Sequence, residues 1–95
     1  MKHIVIVDDD RINLECATMA LGDKYKITTL GSGKQAVQTI PTDVPDLLLL
    51  DVNMPFVDGF AVAQQLRADD RTKDLPIVFL TTEIDMELEE QIIIF

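Results

Sequence analysis

The chain has 95 residues, of which 47% are hydrophobic and 26% are charged, and this composition fits one small folded domain and excludes a disordered chain. Acidic residues outnumber basic residues 17 to 8, and the net charge of −9 argues against direct binding of nucleic acids. The single cysteine excludes an internal disulfide, and no apolar run reaches transmembrane length. We therefore expect one cytoplasmic domain over residues 1–95, with no membrane contact.

The first predicted strand leads into three consecutive acids. Residues 3–7 are rich in Ile and Val, which predicts a short buried strand that ends at Asp8-Asp9-Asp10. Apolar residues then recur at helical spacing over residues 11–21, with Asp10 as the candidate N-cap and Gly22 as the candidate C-cap. Cys16 falls inside this helix, where we expect a small buried side chain.

Two more strands are predicted in the middle of the chain. Residues 25–30 are more polar and indicate a strand nearer a sheet edge. A turn at residues 31–33 and a short helix that Pro41 ends come next. The four leucines from Leu47 to Leu50 then predict a buried parallel strand with Asp51 at its carboxyl end. An Asp at this place lies where open α/β sheets bind their ligands.

The last third of the chain repeats the alternation of helix and strand. Asp58-Gly59 can cap a helix, residues 77–80 form an apolar strand that ends at Thr81-Thr82, and residues 85–95 predict a final helix. Four alternations with short links predict a parallel sheet with right-handed crossovers. The fold class is therefore α/β.

The candidate functional residues are expected at one edge of this predicted sheet. Because parallel strands end at the same edge, the acids Asp8, Asp9, Asp10 and Asp51 should meet there, beside Thr81. Neighbouring carboxylates repel one another unless a cation compensates them, and oxygen ligands favour Mg²⁺. A carboxylate beside such a cation can attack phosphorus and form an aspartyl phosphate, to which the Thr81 hydroxyl could hydrogen-bond.

Each of these residues taken alone also has a plain structural interpretation. Asp51 could be a helix N-cap or a solvated loop carboxylate, and the run from Asp8 to Asp10 could complement a helix N-terminus. Thr81 suits a strand end without any function. Their coincidence at one sheet edge, in this chain order, favours the chemical interpretation.

Three segments together resemble the receiver (phospho-acceptor) domain of two-component response regulators. Residues 4–10 are similar to its first strand and acidic pair, residues 47–55 and 58–59 to its phosphorylation strand and loop, and residues 75–81 to its fourth strand. The similarity runs in the same order from Lys2 to the end of the chain. It implies a three-layer, flavodoxin-like (CheY-like) doubly wound sheet with strand order 2-1-3-4.

The resemblance also implies a role for each site residue. Asp51 accepts a phosphoryl group from a histidine kinase or a phosphotransfer protein. Thr81 moves toward the phosphate and remodels a surface that signals to an output domain or a downstream protein. The implied Mg²⁺ ligands are the side chains of Asp8, Asp9 and Asp51 and the backbone carbonyl of Asn53. The chain would then be a signalling domain and not an enzyme that turns over a substrate.

The sequence departs from the family at its carboxyl end. Receiver domains carry a lysine on a fifth strand and then a fifth helix, and none of the lysines of this chain stands at that position. We therefore expect residues 1–95 to be a receiver domain that lacks its fifth strand and fifth helix. The fourth strand would become an open apolar edge, which invites pairing with another chain.

Two other functions are alternatives. The chain could act mainly as a dimerisation or interaction module, through the open edge of the fourth strand or by exchange of a segment. It could also be a metal-dependent aspartyl-phosphate phosphohydrolase. Those enzymes place an Asp two residues after the nucleophile as general acid, and this chain has Asn53 there, whose amide cannot transfer the proton.

Overall fold

The computed structural model describes residues 1–52, 54 and 58–80, and the backbone of residues 92–94. The strands are β1 (His3–Val7), β2 (Lys26–Leu30), β3 (Leu47–Asp51), β4 (Ile77–Leu80) and β5 (Ile92–Ile94). The helices are α1 (Arg11–Leu21), α2 (Gly33–Thr39) and α3 (Gly59–Ala68), and a 3-10 turn (Ile40–Thr42) follows α2. In these ranges no helix combines the length and the apolar character needed to cross a bilayer.

One sheet holds the strands in the order β2-β1-β3-β4-β5. Neighbouring strands run parallel from β2 through β4, which confirms the predicted doubly wound α/β fold and its strand order 2-1-3-4. The bounds of β1, α1 and β4 agree with the sequence prediction, and β2 begins at Lys26 instead of Tyr25.

The carboxyl end of the chain differs from the prediction. The sequence predicts a helix over residues 85–95 and no fifth strand, but Ile92–Ile94 forms β5, which pairs antiparallel with residues 78–80 of β4. Consecutive β-branched isoleucines favour a strand when a sheet edge is available to them. This pairing also corrects the expectation that β4 is an open edge. The rest of the predicted helix, residues 85–91 and 95, lies outside the described residues.

The described core lies between one face of the sheet and helices α2 and α3. Successive side chains of a strand point to opposite faces, so every second residue of β1, β3 and β4 reaches this core. The strand residues in it are Val5, Val7, Leu48, Leu50, Ile77 and Phe79. Helix α3 adds Val62, Ala63 and Leu66, each at most 1% exposed. Burial of a large apolar side chain contributes about 1.5–3 kcal/mol to the free energy of folding. The core therefore holds the inner strands, and with them their carboxyl ends, in place.

Helix α1 is held mainly by its ends, because none of its residues is buried. Its half-buried residues are Leu14, Ala17 and Leu21. Cys16 lies off this stripe and is exposed, so the expectation of a buried cysteine is wrong. Both predicted caps are confirmed: the Asp10 side chain accepts a hydrogen bond from the Ile12 N–H at 2.9 Å, and the Gly22 N–H donates to the Thr18 carbonyl at 2.8 Å.

Candidate functional site

Three aspartates meet at the carboxyl edge of the sheet. Val7 lies beside Leu50 in the pairing of β1 with β3, so the residues that follow them, Asp8 and Asp51, are neighbours. One carboxylate oxygen from each of Asp8, Asp9 and Asp51 lies within 4.8 Å of the other two. Asp8 and Asp51 are 5% and 1% exposed, whereas Asp9 is exposed. We call this group the three-aspartate cluster.

Two donors from the start of α1 orient the Asp8 carboxylate. Its Oδ1 accepts a hydrogen bond from the Asp10 backbone N–H at 2.9 Å, and its Oδ2 accepts one from the Asn13 side-chain amide at 3.2 Å. The backbone N–H of Asp8 donates to the Leu30 carbonyl at 3.1 Å, which ties this strand end to β2. Both the main chain and the side chain of Asp8 are therefore fixed by the protein itself.

Asp10 has a structural role. It is the N-cap of α1, and its carboxylate satisfies the Ile12 N–H in the first turn of the helix. A carboxylate at this position also complements the positive end of the helix dipole. The first two acids of the run thus belong to the three-aspartate cluster, and the third caps the helix that follows.

The start of α3 lies in close contact with the backbone of Asp51. Asp58 caps this helix by accepting a hydrogen bond from the Phe60 N–H at 2.8 Å, and the Gly59 N–H donates to the Val52 carbonyl at 3.4 Å. A Cβ at position 59 would lie closer than 3.0 Å to the Asp51 carbonyl oxygen and to the Val52 Cα. Only glycine permits this approach without a shift of the main chain. Contact with the start of α3 therefore fixes the position of the carboxyl end of β3.

Two of the predicted site residues, Asn53 and Thr81, lie outside the described residues, as does Thr82. The residues that precede them are described. The Val52 N–H donates to the Leu80 carbonyl at 3.0 Å, which continues the pairing of β3 with β4 to the ends of both strands. The carboxyl ends of β1, β3 and β4 therefore lie side by side.

The charge and the donor atoms of the three-aspartate cluster fit a small divalent cation. Two carboxylates whose oxygens are 4.8 Å apart repel by about 1–3 kcal/mol, for dielectric constants between that of water and about 20. A bound cation offsets this cost. Oxygen-only donors select hard cations, and Mg²⁺ typically uses one or two carboxylates and fills its remaining positions with water or phosphate oxygens. The cluster can therefore hold a metal ion and leave positions for a phosphoryl group.

Comparison with known proteins agrees with this geometry. A sequence profile described as the response regulator receiver domain matches residues 4–94. The chain belongs to this family. Receiver domains are the phospho-acceptor modules of two-component response regulators, and they are signalling domains that interact with histidine kinases and output domains.

The receiver domain is similar to a response regulator and to several solved structures over most of its length. It is 37% identical over 80 residues to response regulator PleD of Caulobacter vibrioides, a match that covers 83% of this chain but only 18% of PleD. Its structure matches chemotaxis protein CheY4 of Vibrio cholerae with a TM-score of 0.82 and 29% identity, covering 96% of this chain and 77% of CheY4. It matches TrrA of Thermotoga maritima, in complex with Mg²⁺ and BeF, with a TM-score of 0.78 and 34% identity, covering 85% and 70%. A further structure holds TrrA in complex with the histidine kinase ThkA.

Asn13 contributes to the site although no motif identifies it, and Gly59 contributes through a contact that its place in the loop motif does not indicate. Asn13 stands three residues after the N-cap Asp10, a position from which side chains fold back past the start of a helix. That position is the one sequence signal that could have singled it out. Gly59 is predicted as part of a helix cap, but its close approach to Asp51 depends on the path of β3, for which the sequence gives no local signal.

Proposed function

We propose that residues 1–95 act as a single receiver domain in which Asp51 accepts a phosphoryl group from a histidine kinase or a phosphotransfer protein. The observation that carries this proposal is the burial of Asp51 beside Asp8 and Asp9 at the carboxyl edge of the sheet, where α/β folds bind their ligands. Asp8 belongs to the loop that leads into α1, and Asp9 is exposed, whereas Asp51 is 1% exposed and ends the inner strand β3 between β1 and β4. This placement at the end of the central strand supports Asp51 as the nucleophile of the three.

The proposed cation is Mg²⁺. Its proposed ligands are the side chains of Asp8, Asp9 and Asp51 and the backbone carbonyl of Asn53. Bound there, Mg²⁺ would offset the negative charge of both the nucleophile and the phosphoryl group. TrrA, which is 34% identical to this chain, has been crystallised with Mg²⁺ and BeF, and this supports the same cation here.

The phosphoryl transfer needs little covalent chemistry from the protein. One Asp51 oxygen forms a bond to phosphorus while the bond between phosphorus and the donor nitrogen breaks, and the donor imidazole, which carries a proton on its other ring nitrogen, leaves as the neutral ring. The chain supplies position, because pairing of β3 with β1 and β4 and the contact with Gly59 fix the Asp51 main chain. We further propose that the Thr81 hydroxyl donates to the bound phosphoryl group, and that its movement alters the output surface after β4.

The test is labelling of the protein with acetyl phosphate and Mg²⁺. Intact-mass spectrometry should show a gain of one phosphoryl group, which EDTA prevents and which the Asp51→Asn variant lacks. Asp46→Asn is a matched control at the opposite end of β3, where the Asp46 side chain accepts a hydrogen bond from the His3 N–H at 2.7 Å, and it should label like the wild type. Wild-type labelling of Asp51→Asn would show that another residue is the acceptor.

A further inference from the structure

We propose that Asn13 is a positioning residue of the cation site, whose side-chain amide sets the orientation of the Asp8 carboxylate. The inference rests on the proposed function, because it assumes that Asp8 binds the cation. Asn13 itself is not a proposed ligand. It acts through one contact, the hydrogen bond from its Nδ2 to Asp8 Oδ2 at 3.2 Å.

The start of α1 has an unusual division of donors and acceptors. In a capping box, the third helical residue accepts a hydrogen bond from the backbone N–H of the N-cap. Here the N-cap is Asp10, and its N–H donates to Asp8 Oδ1 at 2.9 Å, so Asp8 takes the acceptor role from outside the helix. Asn13, the third helical residue, then donates to the other oxygen of the same carboxylate. The Asp8 carboxylate is thus held by one donor on each oxygen.

This arrangement suits a carboxylate that binds a cation. An ionised carboxylate has about four lone-pair sites, and the two donors engage one on each oxygen and leave the others for a ligand. Both donors are neutral, so they prevent rotation of the carboxylate without compensating its charge. Groups that hydrogen-bond a metal ligand typically change metal affinity by about 10–100-fold. The Asn13 bond is at the long end of the normal range, so we expect an effect of about tenfold.

If Asn13 only stabilised the fold, its removal would have a different effect from the one that a positioning role predicts. Asn13 is exposed, and Asp10 caps α1 through its own hydrogen bond to Ile12. Removal of the Asn13 amide should therefore leave the cation-free fold nearly unchanged. Cation affinity and cation-free stability can be measured separately, and only a positioning role predicts that the first falls while the second does not.

The experiment titrates the cation-free protein with Mg²⁺ by NMR and measures its thermal unfolding in EDTA. Asn13→Leu keeps the size of the side chain, raises helix propensity and removes the donor. Its Kd for Mg²⁺ should rise about tenfold, while its unfolding temperature in EDTA should stay equal or rise. Asn13→Gln keeps an amide donor and should recover part of the affinity. Ile12→Ala, a neutral change at a 68% exposed position of the same turn, should bind Mg²⁺ like the wild type.

Wild-type Mg²⁺ affinity in Asn13→Leu overturns the inference. The inference is also overturned if Ile12→Ala loses as much Mg²⁺ affinity as Asn13→Leu. The same holds if Asn13→Leu loses both Mg²⁺ affinity and stability in EDTA, since either result assigns Asn13 a structural role. Asp8→Ala separates the two proposals. If Asp8→Ala loses Mg²⁺ binding and Asn13→Leu does not, only the role of Asn13 is wrong. If Asp8→Ala binds Mg²⁺ like the wild type, the cation site itself is wrong.

Discussion

Removal of the charge of Asp51 should stabilise the protein in the absence of divalent cations. Asp51→Asn preserves the size of the side chain and removes one of the two buried charges of the three-aspartate cluster. The carboxylate oxygens of Asp51 and Asp8 lie within 4.8 Å, which corresponds to a repulsion of about 1–3 kcal/mol. Asp9 is exposed, so solvent screens its contribution. The expected gain is therefore about 1–3 kcal/mol, and each kcal/mol raises the unfolding temperature of a domain of this size by roughly 4–8 °C.

The assay is thermal and urea unfolding followed by circular dichroism, in EDTA and at increasing Mg²⁺. Wild-type protein should gain about 1.4 kcal/mol when Mg²⁺ is tenfold above its Kd, and Asp51→Asn should gain much less. The two stabilities should therefore converge as Mg²⁺ rises. Asp9→Asn is the comparison, because it should lose part of the Mg²⁺ response but gain less in EDTA. If wild-type protein is more stable than Asp51→Asn in EDTA, burial of these like charges costs no free energy and the reasoning is refuted.

Three further changes test other parts of the structure. Gly59→Ala should lower the free energy of unfolding by about 1–3 kcal/mol, because the new Cβ meets the main chain of β3, whereas the Cβ of Gly31→Ala would meet no atom closer than 4.0 Å and should be neutral. Equal urea midpoints for the two variants would contradict that contact. Asp10→Ala should cost about 1 kcal/mol as a lost N-cap and leave Mg²⁺ affinity unchanged, and reduced affinity would instead make Asp10 part of the cation site. The pKa of Asp69 is lowered from 3.8 to about 2, mainly by the side-chain hydrogen bonds of Arg71 and then by the Arg71 backbone N–H and charge. Arg71→Ala should therefore raise the pKa of Asp69, which carboxyl NMR shifts would measure. Because the folded pKa is the lower one, this stabilisation is present above pH 3.8 and is lost as the pH falls toward 2, and wild type and variant should converge in stability there.

Much of the fold follows from local signals in the sequence. The apolar run from Leu47 to Leu50 and the caps at Asp10 and Asp58 act within a few residues, and the structure places strands and helices where these signals predict them. Ile92–Ile94 is different, because three isoleucines fit either a helix face or a strand. The edge of β4 decides between the two, and that edge is not a local property of the sequence.

The candidate site likewise contains residues that the sequence predicts and residues that only the structure reveals. Asp8 and Asp51 can be brought together from the sequence, because parallel strands end at one edge and the two residues end neighbouring strands. The role of Asn13 requires knowledge of which acceptor its amide reaches, and the role of Gly59 requires the distance between a helix and a strand. Exposure of Cys16 follows from the rotation of α1 about its axis, which the sequence defines poorly because apolar residues occur on several sides of this helix.

The absence of buried residues in α1 has a consequence for its dynamics. Little apolar packing opposes local opening of this helix, so its amide hydrogens should exchange with solvent faster than those of α3, which buries four residues. The first turn of α1 is nevertheless tied to Asp8 by two hydrogen bonds. A ligand that steadies Asp8 would slow the opening of a helix about 16 Å long. Hydrogen exchange along Arg11–Leu21 would then report whether a ligand is bound at the three-aspartate cluster.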